Sequence, residues 1–110
     1  MTDIDNLTNF LLDELQKRPA MYLGEPTISK LATFISGYEM GVLISGSTKD
    51  DYYFGENGFL SWLTDYKKKD VGSFWIAPFL KEANYSQEDA LWLYFQYLEK
   101  FRKGKQKTSN

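Results

Sequence analysis

The chain contains no cysteine and no histidine. Without cysteine it forms no disulfide and offers no thiolate, a pattern that fits a reducing compartment. Without histidine it lacks the commonest general base and the commonest transition-metal ligand. No apolar run approaches membrane-spanning length. The acidic opening MTDIDN also lacks the basic-then-apolar order of a signal peptide. The expected location is therefore the cytoplasm, with no membrane partner.

Catalytic arrangements are missing as well. Ser and Lys occur, but no Ser-His, Cys-His or Ser-x-x-Lys set does. Asp3-x-Asp5 begins like a calcium loop, yet Leu7 stands where a third oxygen ligand belongs. Gly41 to Gly46 has phosphate-loop spacing, but Ser47-Thr48 follow in place of Lys-Ser. The paired carboxylates Asp50-Asp51 and Glu88-Asp89 have no visible cleft partners, and acid–base work needs placed groups with shifted pKa values. The expectation is a chain that is not an enzyme and takes no metal or cofactor.

What is present is aromatic. Eight Phe, eight Tyr and three Trp in 110 residues exceed what one small core requires, which points some rings toward an interface. The length is that of one domain. Charge is unevenly placed. Lys100, Arg102, Lys103, Lys105 and Lys107 hold five of the 13 basic residues, so residues 1–99 carry eight basic against 15 acidic side chains. Such a body disfavours nucleic acid and favours a basic protein surface, by steering more than by raw affinity.

Periodicity predicts an all-α, single compact domain of about five helices. Residues 3–17 place Ile4, Leu7, Leu11 and Leu15 on one face, and Asp5, Asn9, Asp13 and Gln16 opposite. Pro19 stops that helix. PAMYLGEP, residues 19–26, reads as a connector in which Gly24 supplies positive φ and Met21, Tyr22 and Leu23 plug the core or extend briefly. A second helix over 27–45, capped by Thr27 or Ser29, turns Ile28, Leu31, Ile35, Tyr38 and Val42 inward, flanked by Phe34. Its later half is apolar on the outer face too (Met40, Leu43, Ile44), which predicts cover on both sides. Gly37 and Gly41, one turn apart, permit close approach of another helix.

A third helix is expected over 57–68. A short fourth over 73–83 must begin late or bend at Pro78. The last helix starts from a capping-box-like Ser86 and Asp89 and runs to about Lys103, with Ala90, Leu91, Tyr94, Tyr97, Leu98 and Phe101 on its apolar face. Residues 1–103 then form the helical domain and 104–110 a basic, disordered tail.

Two surfaces qualify as partner-binding. The loop at 45–57 sets Asp50, Asp51 and Glu56 beside Tyr52 and Tyr53. On the last helix, Trp92 falls on the polar side of an ideal wheel, with Glu88, Gln96 and Glu99. Either a neighbouring element covers that tryptophan or it anchors a partner.

Arg18-Pro19-x-Met21-Tyr22-Leu23-Gly24 follows an amphipathic helix and precedes Ser29, Leu31, Phe34-Ile35 and Gly37-Tyr38, and the chain closes on an aromatic-rich helix. This pattern resembles the small all-helical immunity proteins of contact-dependent growth inhibition and related bacterial toxin systems. It covers residues 10–42 best, with Ala20 at a place where Gly is common. The resemblance implies a cytoplasmic antidote that sequesters one toxin domain with a basic surface, often a nuclease, and blocks its substrate from reaching it. The competing expectation is a helical adaptor or regulatory module, homodimeric through the late part of the second helix or through the last helix.

Overall fold

The computed structural model describes residues 6–45, 58–67 and 75–108. Six α-helices and one 3-10 turn occupy them, and no strand occurs among the described residues. The fold is all-α, as the periodicity predicts. The helices are α1 (Asn6–Asp13), α2 (Pro19–Leu23), α3 (Ile28–Ser45), α4 (Phe59–Lys67), α5 (Ala77–Glu82) and α6 (Gln87–Thr108). A radius of gyration of 13.6 Å is that of one compact domain of this length.

Local signals explain most element ends. α1 closes into a 3-10 turn over Leu15–Lys17, and Pro19, which has no N–H to lose, opens α2 at its first turn. The connector is thus a helix of its own, and this is the element beyond the expected five. Its C-terminal Gly24 takes φ +82° and donates its N–H to the Ala20 carbonyl at 2.8 Å. Ala20 lies inside α2, where a methyl group costs nothing. Leu23 is buried and Tyr22 meets Phe10 edge to face at 5.2 Å, but Met21 is exposed and plugs nothing. At α3, Thr27 Oγ1 accepts the Lys30 N–H at 3.3 Å. Pro78 sits in the first turn of α5, so that helix begins late rather than bending.

α6 is the central element and packs against α1, α3, α4 and α5. Its apolar face buries Ala90, Leu91, Tyr94, Tyr97, Leu98 and Phe101, as expected, and Phe95 beside them. Most described rings join one network around it. Phe59 lies edge-on to Tyr94 (5.4 Å) and Phe101 (5.7 Å), while Phe79 does the same to Tyr94 (5.5 Å) and Tyr97 (5.6 Å). Edge-to-face pairs of this kind add about 0.5–1.5 kcal/mol each beyond area burial. The aromatic surplus is therefore largely structural. α6 also runs to Thr108 instead of ending near Lys103. A single Gly104 is too weak a stop when Lys105, Gln106 and Lys107 after it are good helix formers at the negative end of the dipole.

The later half of α3 differs from expectation. Ile28, Leu31 and Ile35 are buried and Tyr38 and Val42 half-buried, but Met40, Leu43 and Ile44 are not covered; they are 56%, 68% and 80% exposed. A Cβ added at Gly37 or Gly41 would meet nothing within 4 Å, so none of the described helices uses the close approach they permit. The cause is length. α3 has 18 residues, and its buried residues end at Ile35. Each interior glycine still costs its helix about 1 kcal/mol relative to alanine.

Candidate functional site

Local chemistry fixes where α6 starts and which way it faces. Ser86 Oγ accepts the Asp89 N–H at 3.2 Å, and the Ser86 carbonyl accepts the Ala90 N–H at 2.9 Å. Glu88 and Asp89 then lie in the first turn, at the positive end of the helix dipole. With Leu91, Tyr94 and Leu98 locked in the core, residues one helical step away must point outward. Trp92 is one of them and remains 42% exposed. No neighbouring element covers it among the described residues. Its indole leans on the buried ring of Phe95 at 5.7 Å, which supports one side.

Around that indole lies an open notch of about 320 Å³, lined by Glu82 and Ala83 from the end of α5 and by Asp89, Trp92, Leu93 and Gln96 of α6. Glu82 is held in place because the Tyr97 hydroxyl lies 3.0 and 3.2 Å from its two carboxylate oxygens. The lining includes two carboxylates and no cation, and Glu88 follows one turn before Trp92. A carboxylate rim around an exposed indole suits a guanidinium or ammonium group, which gains ion pairing at the rim and cation–π attraction over the ring.

Of the residues picked out in the sequence, Glu88 and Trp92 come together here. Glu99 lies two turns further along and is committed elsewhere. Its carboxylate accepts from Arg102 Nη2 at 3.3 Å, and the same guanidinium donates through Nη1 to Asp13 (2.8 Å) and Asn9 (3.2 Å). Glu99 therefore belongs to the α1–α6 contact and adds little net charge to the face. Asp50, Asp51, Tyr52, Tyr53 and Glu56 lie outside the described residues.

Nothing in the sequence points to Glu82 or Tyr85. Glu82 reaches the notch only because the α5–α6 turn folds back on itself. That turn holds two consecutive non-glycine residues at positive φ, Asn84 at 54° and Tyr85 at 66°, and the Tyr85 N–H donates to the Leu80 carbonyl at 2.6 Å. Asn tolerates this conformation, but Tyr does so at a cost and is left 72% exposed. Nothing local in Asn84-Tyr85-Ser86 announces it.

Among the described residues, no group of three or more His, Cys, Asp or Glu side chains could hold a metal ion, and no helix is long and apolar enough to cross a membrane. Other hollows among the described residues include a polar groove of about 570 Å³ between α1 and α6 and an apolar cleft of about 340 Å³ formed by Leu7, Phe10, Phe34 and Tyr38. No protein-family model, curated protein or solved structure matches the chain.

Proposed function

We propose that the chain is an immunity protein, which neutralises a cognate toxin domain by docking the outward face of α6 onto a basic surface of that domain. The observation that carries this reading is the exposed Trp92 set among Glu82, Glu88 and Asp89. Large aromatics with one supported face are the usual energetic anchors of protein interfaces. A carboxylate rim supplies steering toward a cationic partner and discriminates against anionic ones. Nuclease domains fit the description best, because the cations that hold their phosphates form such a surface, and a bound acidic protein keeps substrate away from it. The pattern at residues 10–42 supports the same assignment from the scaffold side.

The test is rescue. Cells expressing the C-terminal domain of a toxin encoded beside this gene should survive when the chain is co-expressed, and the two proteins should elute together at a 1:1 ratio. Trp92→Ala should abolish the rescue while leaving the chain folded. Co-expression without rescue, no joint elution, or full protection by the Trp92→Ala variant would reject the reading.

A further inference from the structure

The later half of α3 leaves three large apolar side chains, Met40, Leu43 and Ile44, exposed within five residues. We infer that it is a self-association face, on which a second copy of this chain seats its own α3 antiparallel to the first. Met40, Leu43 and Ile44, at 56%, 68% and 80% exposure, leave about 400 Å² of residue surface in water, roughly half of what each partner buries in a specific interface. Gly37 and Gly41 lie on the same helix, whose Phe34 and Tyr38 line an apolar cleft with Leu7 and Phe10.

Symmetry selects a second copy as the occupant. A two-fold interface must be self-complementary, so each side has to carry both the projections and the hollows. α3 does so at matching positions. With the axis passing between Met40 and Gly41, Ile44 of one copy falls on Gly37 of the other, and Met40 falls on Gly41. A Cβ at either glycine would meet nothing within 4 Å inside the chain, so the space that a second copy's side chain needs is open. Leu43 lies on one flank of this stripe, where the same pairing sets it level with Tyr38 of the other copy.

Charge agrees. The chain is acidic over residues 1–99, and an acidic contact would repel its own copy. Residues 36–45 contain one charged side chain, Glu39, which lies on the opposite side of the helix from Gly37, Gly41 and Ile44. Two copies that meet along this stripe therefore bring few like charges together. The surface is distinct from the Trp92 notch on α6, so self-association and toxin binding stand or fall separately.

Sedimentation velocity of the full chain over a range of concentrations tests the inference. Twice the 12.8 kDa of one chain is expected at high concentration, with a midpoint on the order of 10 μM for a patch at the small end of specific interfaces. Ile44→Glu should weaken association at least tenfold with unchanged circular dichroism, because Ile44 contributes nothing to the monomer's core. Gly37→Ala should weaken it as well while raising helicity, a combination that a defect in folding does not produce. A chain that stays monomeric up to ~500 μM overturns the inference, since the face is then covered by another part of the chain or reserved for a different partner. A dimer that both substitutions leave intact overturns it equally.

Discussion

Gln87 Oε1 accepts the backbone N–H of Ser29 at 3.0 Å, across 58 residues of chain. The first residue of α6 thereby satisfies a free amide in the first turn of α3, while Thr27 satisfies the next one. Two helices that the sequence caps separately are capped partly by each other, which fixes their relative position along their axes. Gln87→Ala should therefore lower stability by about 1 kcal/mol, the usual value of a helix N-terminal cap. Gln87→Glu, which keeps the acceptor, should lose much less. Urea denaturation checks this as a shift in midpoint at constant slope.

The contrast between the exposed ring of Trp92 and the buried ring of Phe59 makes the next prediction. Trp92→Ala should change stability by less than about 1 kcal/mol, because much of its indole is already in water, yet it should cost at least ~2 kcal/mol of affinity if the indole anchors the partner. Phe59→Ala removes a ring that touches Trp62, Tyr94 and Phe101 and should cost about 3–5 kcal/mol of stability. Thermal unfolding and calorimetric titration with the toxin domain separate the two outcomes.

Backbone conformation gives a pair of opposite effects. Gly24 and Tyr85 both adopt positive φ, at 82° and 66°. Gly24→Ala should destabilise by about 1 kcal/mol even though the added methyl group would meet no atom within 4 Å, because the cost lies in the backbone. Tyr85→Gly should stabilise by up to ~1 kcal/mol, since it relieves the same strain and the lost side chain is mostly exposed. Equal signs for the two substitutions would show that φ is not what decides them.

Arg102 joins three acceptors on two helices. Its side chain is only 16% exposed, whereas that of Asp13 is 55% exposed. Arg102→Met should cost about 1–2 kcal/mol through lost hydrogen bonds, with the methionine retaining part of the packing. A double-mutant cycle with Asp13→Asn should give a coupling below about 1 kcal/mol that shrinks in salt, because one partner is solvated.

What the sequence revealed and what it hid divide by distance along the chain. The start of α3, the start of α6 and the late start of α5 follow from Thr27, Ser86 and Pro78 acting on residues a few positions away. The apolar row of α6 follows from helical period alone. Features that needed a distant partner stayed out of sight. Glu99 looks free until Arg102 binds it and Asp13 together, and Glu82 looks unrelated to Trp92 until the turn at Asn84-Tyr85 brings it round. The exposed half of α3 is hidden from the sequence for the same reason. An apolar outer face shows that cover is wanted, and only the tertiary arrangement shows that the described helices do not supply it.

The division of labour along α6 bears on how such a protein changes over generations. Its inward row is pinned by four other helices, so drift there is purged by misfolding. Its outward positions, Glu88, Trp92 and Gln96 among them, can be exchanged without disturbing that row. If α6 docks a toxin domain as proposed, new partner preferences can be written onto a fold that never has to be reinvented, one substitution at a time, as fast as an opposing surface changes.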